Sequence, residues 1–148
     1  MAGYKAKIEA PSDPGKAFEF LSNFANTREW DPSVKRTREL DEGPVAVGSR
    51  FELTLDFAGK ENTLTYEVVE LDPGRRVLLR AENDGVISLD EITVENADAG
   101  TLVTYDADLK FKGMMRVLDP AFKIVFGRLG DRAKQGMLER LSQPDLAP

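Results

Sequence analysis

From residue 51 to residue 111 the chain alternates apolar and polar side chains in runs joined by four turn signals. That period of two allows little but antiparallel strands that bury one face and wet the other. Phe51, Leu53, Leu55 and Phe57 share one face of the first run. Gly59-Lys60 reads as a two-residue hairpin turn. It sets Ala58 opposite Glu61, Leu55 opposite Leu64, Leu53 opposite Tyr66 and Phe51 opposite Val68. Pro73-Gly74 sets Asp72 opposite Arg75, Val68 opposite Leu79 and Tyr66 opposite Ala81. Asp84-Gly85 sets Leu79 opposite Asp90 and Val77 opposite Ile92. A looser turn at 97–100 sets Val94 opposite Val103, Ile92 opposite Tyr105, Asp90 opposite Ala107 and Ser88 opposite Leu109.

Four turns counted independently thus predict one continuous face: Phe51, Leu53, Leu55, Leu64, Tyr66, Val68, Val77, Leu79, Ala81, Ile92, Val94, Val103, Tyr105, Ala107 and Leu109. Apolar meets apolar at nearly every pair, as a buried face requires. Leu78, Ile87 and Leu89 break the outer pattern. They mark either a small apolar patch, which would suit a homodimer, or a bulge that shifts the register.

Before the sheet core come a first strand, at residues 4–10, and two short helices. Pro14 suits a first helical turn capped by Ser12 or Asp13, with Ala17, Phe18 and Leu21 on its apolar face. A second short helix at 25–30 stops at Asp31-Pro32. Beyond the sheet, Gly113 is followed by a turn of helix at 114–118. A long helix over 120–141 then carries Ala121, Phe122, Val125, Phe126, Leu129, Ala133, Met137, Leu138 and Leu141 on one stripe. At about 1.5 Å per residue it matches an eleven-residue strand in length, so it is expected to lie along the whole concave face.

With 148 residues the chain is read as one domain, 1–141, with a disordered tail at 142–148. It contains no cysteine and no histidine, which removes disulfides, thiolate chemistry and the commonest general base and metal ligand. No phosphate loop, metal-ligand cluster or Ser/His/Asp set stands in the sequence, so no metal and no cofactor are expected. The net charge of −6 argues against nucleic acid. The charge is also uneven: residues 110–141 carry eight Lys/Arg against three Asp/Glu, and residues 1–109 carry twelve against twenty-two. Docking of a basic helix on an acidic sheet accounts for this, and attraction to an anionic membrane surface is the alternative. The start of the chain lacks the apolar run of a signal peptide, and no stretch is long enough to span a bilayer. A cytoplasmic protein without stable membrane insertion is the expectation.

One strand, two short helices, a six-strand meander and a long terminal helix form an order that resembles the START and Bet v 1-like (SRPBCC) superfamily. Within it the chain is similar to the polyketide cyclase/dehydrase-like and coenzyme Q-binding-like proteins. The residues that carry the likeness are Trp30-Asp31-Pro32, Gly48-Ser49-Arg50-Phe51, Val69-Glu70-Leu71-Asp72-Pro73, Asp90-Glu91-Ile92-Thr93-Val94, Gly100-Thr101-Leu102-Val103-Thr104-Tyr105 and Gly113. The resemblance implies an α+β helix-grip fold, a curved seven-stranded antiparallel sheet wrapped around the C-terminal helix. It also implies a cavity between the two for a hydrophobic or amphipathic small molecule such as a lipid, quinone or polyketide.

The hairpin register points Asp90 inward among Leu79, Ile92 and Ala107. There it serves a ligand or a reaction; the alternatives are that it bonds a strand end, pairs with an arginine, or faces out after a one-residue slip. Tyr66, Tyr105 and Ser88 project from the same face with hydroxyls that need partners. Phe51, Leu53, Leu55 and Leu79 on the sheet, and Phe122, Val125, Phe126 and Leu129 on the helix, either line a cavity or fill a core. By the resemblance Trp30 stands at the cavity mouth, as a gate or as a packing plug. Lys35-Arg36-Thr37-Arg38 reads as a solvated edge strand, with Arg36 or Arg38 turned inward as the alternative. A carrier is the leading expectation. The rival is a cyclase or dehydratase, a lyase in which Asp90 and the tyrosines share the proton transfers. A third reading is a partner-binding module with a closed core.

Overall fold

The computed structural model of the protein describes residues 2–57, 59–114 and 119–148. Residues 115–118 of the helical turn expected at 114–118 and the pairing of Ala58 lie outside the described residues, as do the side chains of Phe57 and Ala121. Seven antiparallel strands form one curled sheet in the order β1-β7-β6-β5-β4-β3-β2. They are β1 (Ala2–Ala10), β2 (Val34–Glu39), β3 (Arg50–Phe57), β4 (Lys60–Asp72), β5 (Arg76–Glu82), β6 (Val86–Ala97) and β7 (Gly100–Phe111). Helix α1 (Pro14–Ser22) and a 3-10 turn (Phe24–Glu29) follow β1, and helix α2 (Asp119–Leu141) closes the concave side. This is the helix-grip fold expected from the sequence. No helix among the described residues is long and apolar enough to cross a membrane.

Local chemistry explains the elements. Asp13 caps α1 by accepting the Lys16 N–H, and Pro14 fills the first helical position where no N–H is needed. Asn23 caps the 3-10 turn in the same way through the Ala25 N–H. The edge strand β2 keeps its cations outside, where Arg36 pairs with Glu61 and Arg38 with Glu52, each at 3.2 Å.

All fifteen residues expected on the concave face are buried, from Phe51 at 3% exposed to Leu109 at 3%. The β5–β6 and β6–β7 registers match the count from the turns, with Leu79 opposite Asp90 and Ile92 opposite Tyr105. Two registers need correction. In β3–β4, Phe57 opposes Lys60 and Leu53 opposes Leu64, not Tyr66. Gly59 adopts φ +81° as the second turn residue, one place later in the turn than expected. That displaces the pairing by two residues, which keeps every side chain on its face. In β4–β5 the turn holds three residues, and Asp72 opposes Arg76 instead of Arg75. A bulge between Val68 and Glu70 absorbs the extra residue, so Val68 still meets Leu79 and Tyr66 still meets Ala81. The β5–β6 pairing at Leu78, Ile87 and Leu89 is unbroken, but on its β4 side Leu78 lies at the bulge, opposite Glu70. The three apolar side chains lie half-buried on the convex face.

Helix α2 departs from the expected full-length burial. Ala133, Met137 and Leu141 are at most 2% exposed, whereas Phe122, Val125, Phe126 and Leu129 are only half-buried and Ile124 is 65% exposed. Two glycines explain where the helix touches down. A Cβ on Gly130 would stand 2.3 Å from the Tyr4 ring, and one on Gly136 would stand 2.0 Å from the Trp30 carbonyl oxygen. The expected disordered tail is docked instead. Pro144–Leu146 forms a 3-10 turn, Leu146 is buried, and its carbonyl accepts the Asp13 N–H at 2.8 Å.

Candidate functional site

Under the half-buried part of α2 a cavity remains between helix and sheet. One wall is polar. Tyr66, Ala81 and Ser88 stand side by side on β4, β5 and β6. The small Ala81 between them leaves the Tyr66 hydroxyl free to reach Ser88 Oγ at 2.9 Å. Ser88 donates to Asp90 Oδ1 at 3.2 Å, and Tyr105 donates to Asp90 Oδ2 at 2.9 Å. With the Ser88 proton committed to the carboxylate, Tyr66 is the donor in the first bond. The row therefore runs Tyr66 to Ser88 to Asp90, with Tyr105 meeting the carboxylate from the β7 side, one diagonal step from the Asp90–Ala107 pair.

Burial dominates the electrostatics. Asp90 is pushed up to about 7, first by loss of water, against the opposing hydrogen bonds from Tyr105 and Ser88 and with further repulsion from Asp31 and Asp108. Burial and then the Asp90 charge hold Tyr66 and Tyr105 well above the ordinary phenol value, so both remain proton donors at neutral pH. Asp31 is raised by burial too, although its Oδ1 accepts the Ser33 N–H at 2.9 Å and the Ser33 hydroxyl at 2.8 Å. Thr27 adds a buried hydroxyl with no hydrogen-bond partner among the described residues.

The cavity measures about 50 Å³ of space open to the centre of a water molecule. At about 10–15 Å³ per water on that measure it holds a few waters. Of the side chains singled out in the sequence, Leu53, Leu55, Tyr66, Ser88, Asp90, Tyr105, Phe126 and Leu129 line it. Phe51 and Leu79 pack in the core without lining it. Phe122 packs against Phe111, with ring centroids 4.8 Å apart, and Val125 lines an outer groove. Trp30 is 2% exposed and meets Tyr105 edge-on at 5.4 Å, behind the cavity wall. Arg36 and Arg38 stay on the solvated edge.

Sequence reasoning missed Tyr4, Thr27, Asp31, Ser33 and Gly130, all of which line the cavity. Asp31 was read only as part of a helix stop. A glycine on the apolar stripe of α2, where it costs about 1 kcal/mol against alanine, was the available signal for Gly130.

Chemically the site offers a carboxyl group poised to hold or release a proton near neutrality, two phenols that donate, and an otherwise apolar wall. Protonated, Asp90 can donate to a carbonyl; ionised, it can accept from a hydroxyl. No group of three or more metal-ligating side chains occurs among the described residues.

The family model for polyketide cyclase / dehydrase and lipid transport proteins matches residues 1–143. No curated protein matches the chain by sequence. Among solved structures, a START superfamily protein from Mycobacterium smegmatis superposes with a TM-score of 0.78 at 16% identity, over 95% of this chain and 97% of that one. An aromatase/cyclase, Zhui, from a Streptomyces species gives 0.76 at 18% identity, over 95% and 92%. A major latex-like protein from Panax ginseng gives 0.66 at 13% identity, over 96% and 98%.

Proposed function

Since this chain belongs to the polyketide cyclase / dehydrase and lipid transport family, we propose that it binds a hydrophobic small molecule between sheet and α2, with a neutral polar end of the ligand against Asp90. The carrying observation is the hydrogen-bonded row Tyr66–Ser88–Asp90–Tyr105, set into the wall of a cavity whose other sheet and helix residues are mostly apolar. A lipid, quinone or polyketide-like compound has the matching distribution of polarity. At rest the cavity is too small for such a ligand, so binding requires the first half of α2 to move outward. Its half-buried apolar residues then close over the ligand.

Burying ~300 Å² of apolar ligand surface contributes roughly 7 kcal/mol. Association costs of several kcal/mol bring this to micromolar affinity, leaving Asp90 and the tyrosines to set orientation. Native mass spectrometry of the protein purified from its own source tests the reading, with a co-purifying apolar compound expected. Trp30, the single tryptophan, abuts Tyr105 and supplies a fluorescence signal for titration with candidate ligands. A mass spectrum and titrations that show no ligand under any condition would refute it.

A cyclase or dehydratase activity is the second reading. What favours it is a carboxyl near pH 7 in direct contact with a phenol, the pairing that proton abstraction next to a carbonyl needs. Asp90→Asn separates the two. A carrier loses affinity modestly, while an enzyme loses its turnover of a poly-β-keto substrate by orders of magnitude.

A further inference from the structure

Three spaces meet at Leu129. It lines the inner cavity, an outer groove of about 290 Å³ with Asp56, Gly59, Val125, Arg128 and Arg132, and a second of about 110 Å³ with Pro32, Ser33, Lys35, Asp56 and Arg132. The half-buried Leu129 side chain is therefore the partition between the cavity and the surface.

The charges on the two sides of that partition have opposite sign. Inside, Asp31 and Asp90 are the only charged side chains among the described residues that line the cavity. Outside, Arg128 and Arg132 stand on successive turns of α2 and line the first groove, and Lys35 on β2 lines the second together with Arg132. None of these three cations makes a hydrogen bond or ion pair among the described residues. Elsewhere the chain pairs its arginines readily: Arg36, Arg38, Arg50, Arg75, Arg76, Arg80 and Arg140 all hold carboxylates. Asp56, the one acid among the described residues that line the grooves, has a buried Oδ1 without a partner among them. One acid against three cations leaves the grooves net positive.

We propose that these grooves form a second binding subsite, which holds the anionic head (a carboxylate or a phosphate) of an amphiphilic ligand whose apolar body passes Leu129 into the cavity. The inference rests on the cavity-binding reading above and adds the ligand's charge and direction. Two carboxylates in a desolvated chamber repel an anion, so an anionic end stays outside while the neutral end reaches Asp90.

Calorimetric titration at pH 8 with decanoate, monodecyl phosphate and 1-decanol tests this, in the wild type and in the double variant Arg128→Gln/Arg132→Gln. At least one anionic probe is expected to bind the wild type ten times more tightly than decanol, which corresponds to about 1.4 kcal/mol. The double variant should lose most of that advantage while its decanol affinity changes less than twofold. Raising the salt concentration should weaken the anionic probes alone, a check that needs no variant. The stronger of the two anions identifies the head group. Equal binding of all three probes, or an anionic advantage indifferent to the variant and to salt, overturns the subsite and leaves the cavity reading standing. Binding of none of the three by the wild type overturns both.

Discussion

At the scale of single residues, Asp90 controls how the protein responds to pH. Its acid is weaker in the folded state, about 7 against 3.8, so between those values the folded chain binds more protons than the unfolded chain. Stability contributed by this group is complete below about pH 4 and is lost as the pH rises through 7. From pH 4.5 to pH 8 the wild type should lose of order 3 kcal/mol relative to Asp90→Asn. Urea unfolding across that range measures it, and parallel pH dependences for the two proteins would contradict the assignment. Tyr105→Phe removes one donor to the carboxylate but keeps the ring against Trp30. It should move the Asp90 transition upward and cost about 1.5–3 kcal/mol at pH 8, where the bond is to a charged acceptor. An unmoved transition would show that the phenol does not hold the charge. The inward direction of Asp90 was legible in the sequence because strand parity determines it. Asp31 was not, because it sits in a loop, where no period tells which way a side chain points.

At the scale of elements, the glycines of α2 separate helix propensity from packing. In an exposed helix Gly→Ala gains about 0.5–1 kcal/mol, and Gly127, with nothing within 4 Å of a Cβ, should behave that way. Gly136→Ala places a methyl on the Trp30 carbonyl, a backbone atom that cannot turn aside, and should cost about 2–3 kcal/mol. Gly130→Ala meets the Tyr4 ring and should also destabilise. Thermal unfolding of the three variants decides it, and a gain at all three would mean that α2 does not pack this closely. The strands tell a related story about reading a sequence. Moving the β3–β4 turn by one residue, or adding a bulge at Val69, left every face correct. Parity survives such errors, whereas partner identity does not.

For the whole molecule, burial is divided along α2: its second half is anchored by Ala133, Met137 and Leu141, while its first half rests on side chains that stay partly exposed. Hydrogen exchange should show residues 119–129 opening at least tenfold more often than residues 133–141, since local stability follows buried contact. Equal protection along the helix would remove the proposed route into the cavity. Which side of each strand is buried, and that a long amphipathic helix covers that side, the amino-acid sequence determined by itself, because both follow from local side-chain periods of two and about 3.6. How far the helix sinks, and so how much space is left and which polar groups share it, only the tertiary structure decided. Those distances depend on meetings such as Tyr4 with Gly130 and Trp30 with Gly136, between residues that no local pattern brings together.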